Sequence, residues 1–506
     1  MHADRHTSRG VYTMFWTLTM GKSLKINYLF NLANTISGLL FPLITFPYAS
    51  RILLADGIGQ INFFQSIIQY ITLLTCLGIP MYAVREVARV RDNVEERNII
   101  SIEIFLLHAI LSIIGYVIVA ILTVTISEIR VDIPLFLLLS STIFFTAIGC
   151  EWFYQGVEDF KYITIRGLIV KTISVFLLFL FVKTKEDILW YGAYSVFGIL
   201  GGNIFNFFRL RKYIYWKELP YRKLNPFRHF KPALRIFVLN LIISIYIQLS
   251  TIMLGFMVDT TSVGLYTAAY KLINLILGII SALGVVMLPK VSFLIANGQK
   301  DEFKHVCHKA MQFVIAITLP MTIGIILVSP YLIPLFCGET YTPAIPTLQI
   351  MAPIILAIGT ANILGYQVLY PQGQEKKIII SSAIGAIINF TLNLWLRPLY
   401  KYNGASISIV IAESVVTTCM ILLGGKYIPF TWKIQNYSHY IWGTLWMVLG
   451  VWGWKILNIC SSNILNLLIS CTIGMSIYTI FLVVANDAFF LEIKSILSKR
   501  IRDNRS

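Results

Sequence analysis

Residues 99–126 read IISIEIFLLHAILSIIGYVIVAILTVTI, with one carboxylate, Glu103, and one imidazole, His108, in an otherwise apolar block. A helix rises about 1.5 Å per residue, so the block is long enough to cross the roughly 30 Å hydrocarbon core of a bilayer. It is far longer than the roughly 9–11 residues of a membrane strand, and it does not alternate polar with apolar. Comparable blocks lie at 27–50, 60–83, 134–156, 163–183, 188–208, 236–257, 265–288, 310–332, 345–369, 378–396, 405–423, 440–460 and 464–486. With 506 residues, 57% hydrophobic and 13% charged, and a mean hydropathy of +0.75, the chain cannot hide this surface in one water-soluble core. The expected fold is an all-α membrane protein with about fourteen transmembrane helices.

Lysine and arginine set the orientation. With a cytoplasmic amino end, the loops on that side and both tails hold 32 of the 41 basic residues. The opposite loops hold only Arg51, Arg130, Lys183, Lys185, Arg397 and Lys401, while Lys171, Lys271 and Lys455 fall inside spans. This is the bias expected of short loops in a membrane protein whose two ends are cytoplasmic. The net charge of +17 is therefore a topology signal, and its spread over many loops argues against nucleic acid as a partner. Val11–Met20 is too short for a span and lacks a small-residue cleavage site, so an ordinary cytoplasmic start at Met20 is favoured over a signal peptide.

The chain also repeats itself. Leu77-Gly78-Ile79-Pro80-Met81 is echoed by Leu283-Gly284-Val285-Val286-Met287 at an offset of 206, and Gly59 by Gly264 at 205. Tyr154-Gln155-Gly156 finds its echo in Pro371-Gln372-Gly373, and Gly192-Ala193 in Gly404-Ala405. Six spans separate equivalent points, so both copies cross in the same sense, as parallel repeats do. The expected organisation is a tail over 1–26, a first six-helix lobe over 27–208 and a basic cytoplasmic linker over 209–235. A second six-helix lobe follows over 236–423, then two further helices over 424–486 and a basic tail over 487–506. Two such lobes suit alternating access.

Chemistry-bearing motifs are few. The seven cysteines are scattered with no metal or disulfide spacing. There is no nucleophile–base pair and no phosphate-cradling Gly-Lys-Ser/Thr motif, so no enzyme, metal or cofactor is expected. The rival class is a membrane polymerase or ligase of polysaccharide assembly. Such enzymes need large outer loops, and none here exceeds about ten residues. Asp56-Gly57-Ile58-Gly59 reads as a tight turn.

Pro47-Tyr48-Ala49-Ser50-Arg51-Ile52-Leu53, Asp56–Gly59 and Leu77–Pro80 leading to Arg85-Glu86-Val87-Ala88 resemble the first lobe of bacterial polysaccharide flippases. Glu151-Trp152-Phe153-Tyr154-Gln155-Gly156, with Phe160–Arg166, is similar to the same family's fourth-to-fifth span junction and is the most specific part of the likeness. Phe336-Cys337-Gly338-Glu339-Thr340-Tyr341 resembles its second-lobe loop. The family is that of the Wzx-type oligosaccharide flippases of the MOP exporter superfamily, which also holds MATE drug exporters and lipid II flippases; the likeness covers about residues 24–435. It implies fourteen helices and export of an undecaprenyl-diphosphate-linked oligosaccharide across the bacterial inner membrane. It also implies membrane lipids as surroundings, with a polysaccharide polymerase and a chain-length regulator as candidate protein partners.

Such a cargo gives weight to ionisable groups at membrane depth, where a charge costs at least about 2.5–3.5 kcal/mol without a partner or wet surroundings. Counting at about 1.5 Å per residue puts Lys171 and Glu413 roughly 12 Å inside their spans and Lys271 about 9 Å below the outer face. Lys171 and Lys271 are the candidate anchors for the diphosphate, with Arg51 and Arg85 as mouth residues. Glu151 and Glu413 are candidates for ion coupling, or else counter-ions, with Lys171 paired to Glu151 and Lys271 to Glu413. A MATE-like ion-coupled exporter of small molecules is the runner-up within transporters, but cavity lysines would repel cationic drugs.

Overall fold

The computed structural model describes residues 22–214, 224–430, 435, 437–457 and 462–487. The expected amino tail up to residue 21 with its start at Met20, the middle of the basic linker and the tail beyond 487 lie outside the described residues. Within them the chain is helical, with no strand. In chain order the helices are α1 (Lys22–Cys76), α2 (Ile79–Arg89), α3 (Val94–Thr125), α4 (Ser127–Arg130), α5 (Ile133–Gly149), α6 (Glu151–Gly156) and α7 (Phe160–Phe181). Next come α8 (Ile188–Leu200), α9 (Gly202–Leu210), α10 (Phe230–Met257), α11 (Thr260–Ala296) and α12 (Lys300–Cys337). The last are α13 (Ile345–Met351), α14 (Ile354–Asn362, continued by a π-helical turn to Leu369), α15 (Glu375–Gly424), α16 (Ser438–Leu457) and α17 (Asn463–Val484).

Short polar residues set several starts. Asn93, Asp132, Asp159 and Asp259 each accept a hydrogen bond from the backbone N–H three residues on, satisfying a donor that the helix itself cannot. Among the described residues seven helices are long and apolar enough to cross a membrane, or up to nine if each bent pair is one span. Fourteen were expected. Part of the difference lies in α1 and α15, which run for 55 and 50 residues and are each interrupted by one non-helical residue, Leu54 and Lys401. Straight helices of those lengths would measure about 83 and 75 Å, more than twice the hydrocarbon core. At Lys401 the chain doubles back: Gly404 lies against the Leu396 carbonyl, and Gly385 against Ala412 and Val416. The bent pairs are α8–α9, by 41° at Gly201, and the stretch Glu339–Met351 with Ile354–Leu369, by 44° at Pro353.

The chain divides into two compact units. Unit 1 holds the described residues up to Thr45, Ile71–Lys183 and Leu189–Val238. In it α2 packs on α3 and α6, and α5 on α3 and α9. Unit 2 holds Phe46–Tyr70, Thr184–Ile188 and the described residues from Leu239 onward. Its α12 packs against α11, α14, α16 and α17, around a core that includes Met311, Leu364, Val368, Met420 and Tyr440.

Lipid is as apolar as leucine, so helices in a membrane associate through close packing, and small residues let backbones approach. In unit 2 the extreme case joins Gly59 of α1 to Gly264 of α11. A Cβ on Gly59 would collide with the Thr260 carbonyl and the Gly264 nitrogen; one on Gly264 would collide with the backbone of Ala55. The repeat offset of 205 turns Gly59 into Gly264 and Ala55 into Thr260, so each half of this contact is the other with partners exchanged. Gly59→Ala and Gly264→Ala should each lower the Tm of the purified protein, an overpacking loss of about 1–3 kcal/mol. Gly324→Ala, which would enter open space, should leave it unchanged. A Gly264→Ala protein with unaltered Tm would remove the contact's structural role.

Candidate functional site

In unit 2, three stretches marked out by the sequence meet. α12 ends at Gly338, whose φ of 102° favours glycine and whose missing side chain leaves room for Arg51. That ending exposes carbonyls at the negative end of a helix, where a cation is favoured. Arg51 takes the place: Nη2 donates to the Leu335 carbonyl, and Nη1 to the Pro47 carbonyl at 2.8 Å. Beside it, the ring of Phe46, 1% exposed, sits 5.8 Å from that of Phe336. Lys271 Nζ lies 4.2 Å from the centre of the Phe46 ring. Ring and ammonium attract by about 0.5–2 kcal/mol, depending on how dry the site is, and the formal charge stays whole. Among the described residues no carboxylate pairs with Lys271.

The counter-ion pairing expected between Lys271 and Glu413 therefore does not form. Glu413 is 8% exposed on the returning half of α15. Lys455, the third basic residue inside a span, donates to the Leu327 carbonyl and lies 5.5 Å from the ring of Tyr331.

In unit 1, Lys171 is half-buried on α7 and donates to Ser37 Oγ at 2.8 Å. The salt bridge expected of Glu151 goes to another residue: Oε2 pairs with Arg166 Nη2 at 3.2 Å, while Oε1 accepts from Gln155 at 3.4 Å. Arg166, counted as a loop residue from its position alone, also donates to the Gly202 carbonyl at 3.4 Å. Its spacing fifteen residues after Glu151 carried no helical signal that could have announced the pair. Neighbouring residues of that motif brace the unit. Tyr154 Oη donates to the Asn206 carbonyl at 2.6 Å, and Asp159 pairs with Arg209 at 2.8 Å. Arg85 is largely exposed and pairs with Glu86 at 3.1 Å. The expected anchors thus fall into two separate groups, Lys271 with Arg51 in unit 2 and Lys171 with Glu151 and Arg166 nearby in unit 1.

Glu103, read only as a residue near a span end, is a hub of unit 1. It is 1% exposed, and its carboxylate accepts from the Asn225 N–H at 2.7 Å and from His229 Nε2 at 2.9 Å, with Arg228 paired to it as well. His229 Nδ1 in turn meets Tyr82 Oη at 2.7 Å. The end of the linker is thereby tied to α2 and α3.

Burial holds the His229 imidazole below its ordinary value of 6.5, although Glu103 pulls the other way. Between the two values the unfolded chain takes up a proton that the folded chain refuses, so stability falls as pH falls through and below about 6.5. The Tm should drop over that interval, and His229→Gln should flatten the drop. An identical pH profile in that variant would exclude His229 as its source.

Residues 24–294 match the family model described as polysaccharide biosynthesis protein, and residues 167–483 match that of the lipid II flippase MurJ. A relative from Shigella dysenteriae named "Putative O-antigen transporter" is 26% identical over 405 residues, covering 79% of this chain and 99% of its own. One of the same name from Escherichia coli (strain K12) is 23% identical over 401 residues, covering 79% and 96%. Among solved structures, the lipid II flippase MurJ in an inward closed conformation superposes with a TM-score of 0.72 at 17% identity, covering 91% of this chain and 99% of that one. An inward-facing MATE multidrug resistance transporter of the MOP superfamily gives 0.60 at 15%, covering 82% and 97%. At such identities these structures share a fold with this chain.

Proposed function

Since the chain belongs to the polysaccharide biosynthesis protein family and is a Wzx-type flippase of the MOP exporter superfamily, we propose that its cargo is an undecaprenyl-diphosphate-linked repeat unit. The protein is a multi-pass membrane transporter of lipid-linked oligosaccharide, and its family is one of transporters rather than enzymes. In our reading it works in the bacterial inner membrane with both ends cytoplasmic, and the unit passes by alternating access to the outer leaflet. A polysaccharide polymerase and a chain-length regulator are the protein partners this role would call for. Fourteen crossings, as two six-helix lobes plus two, remain our reading of the chain, and the breaks of α1 at Leu54 and α15 at Lys401 support it.

The observation that carries the cargo assignment is Lys271, a cation at membrane depth held on an aromatic face with no carboxylate paired to it among the described residues. An ammonium already neutralised by an acid offers a diphosphate little; this one keeps its charge available, and lysine can hold a phosphate and release it. Arg51, a few residues along α1 from Phe46, adds a second positive charge to the same part of unit 2. Lys171 is the corresponding anchor in unit 1, and Arg85 stays a mouth residue. Glu151, engaged by Arg166, serves as a counter-ion, which leaves Glu413 as the coupling carboxylate. Two positive groups so placed would also repel a cationic drug, which disfavours a MATE-like exporter.

The test is complementation of a strain lacking its own flippase. Lys271→Ala should cut surface polysaccharide about tenfold or more at unchanged protein level, the loss of one charge-assisted contact. Lys271→Arg should retain part of it. Full polysaccharide from the alanine variant would end the anchor assignment.

A further inference from the structure

Arg397 lies on α15 four residues before the reversal at Lys401, in a position that hydropathy assigns to an outer loop. It is instead enclosed completely, 0% exposed, and is the largest side chain so buried. Its Nε donates to Asn393 Oδ1 at 2.6 Å, whereas Nη1 and Nη2 find no partner. No ion pair reaches it among the described residues. The neighbouring α10, which supplies Ser250 to this cluster, has no Asp or Glu anywhere between Phe230 and Met257.

Hydroxyls and amides surround Arg397. Tyr266 of α11, 1% exposed, sets its hydroxyl beside that of Ser250, and both Arg397 and the Glu413 carboxylate act on it electrostatically. Asn389 Nδ2, two turns back along α15, is without a partner. Asn393 connects the group: it accepts from Arg397, donates to the Asn389 carbonyl at 2.8 Å and approaches Ser250 Oγ at 3.5 Å. An enclosed guanidinium without a counter-charge is among the costlier arrangements in a protein. A water molecule could accept one or two of these hydrogens but would leave the charge whole. An anion would meet both demands, and only a compact one suits side chains that are all sealed from solvent.

We propose that unit 2 binds a small monovalent inorganic anion, of the chloride class, on the Arg397 guanidinium with Tyr266 Oη as a further donor. The site is separate from Lys271 and does not depend on what the protein carries. Its role is to neutralise the buried charge and hold α15 against α10 and α11.

The experiment uses the full-length protein purified in detergent in a gluconate buffer, with chloride or bromide titrated in at constant ionic strength while the Tm is read. A saturable upward shift is expected from both halides. Tyr266→Phe should raise the half-saturating concentration about tenfold, the loss of one hydrogen bond to a charged group, and Arg397→Gln should abolish the shift. A halide-independent Tm in the native protein overturns the proposal, as does an Arg397→Gln protein that shifts equally. Should that variant fail to fold, Tyr266→Phe with an unchanged half-saturating concentration overturns it instead. Crystals grown in bromide give a direct reading: an anomalous peak at Arg397 supports the site, and its absence there refutes it.

Discussion

A charge carried into an apolar helix must find polar company without water, and in this chain acids are too scarce to supply it. Forty-one basic residues face twenty-four acidic ones, and most of the acids fall outside the apolar blocks. The cations at depth are met by the backbone and by rings. Arg51 uses the carbonyls of Pro47 and Leu335, and Lys455 that of Leu327. Lys271 uses the face of Phe46. A carbonyl dipole or a ring quadrupole steadies a positive group without cancelling it. The distinction matters for function, because a positive potential that persists can attract a phosphate whereas a salt bridge presents almost none.

Packing follows the same logic of scarcity. With no hydrophobic drive between helices inside lipid, contact has to come from fit. Gly59 and Gly264 achieve it by bringing backbone onto backbone, where even a methyl group is excluded. The two partners stand at the offset of 205 expected of the internal repeat, which would give the contact a self-complementary form, as at the interface of a symmetric dimer. Here the two surfaces belong to one chain.

The apolar blocks were legible because a bilayer imposes a single length on everything that crosses it. Residues 99–126 became Val94–Thr125, and 163–183 became Phe160–Phe181. The grouping of Phe46–Arg51, Lys271 and Phe336–Gly338 was half legible: each piece stood out, but nothing in the order of residues said that they would meet. Partnerships were the least legible part. Glu151 was matched with Lys171 because both lay inside spans, while its actual partner, Arg166, stood at the very start of the block 163–183 and was counted with the loop before it. Arg397 was misplaced for a related reason. Leu396 before it and Pro398 after it read as the end of a span, and a reversal that folds the arginine inward leaves no trace in hydropathy. Glu103 sat in plain view in the most apolar block of all, but its partners Asn225, Arg228 and His229 lie more than a hundred residues away.

Lys271 also has an electrical consequence. A membrane potential does about 2.3 kcal/mol of work on each elementary charge per 100 mV it crosses. A lysine neutralised by an acid would move through that field as a dipole and feel little of it, but one resting on a phenyl ring moves as a monopole. Any rearrangement that displaced this ammonium along the membrane normal would therefore be driven or resisted by the cell's own voltage. An anionic headgroup riding with it would silence that response, so the loaded and empty protein would sense the potential differently.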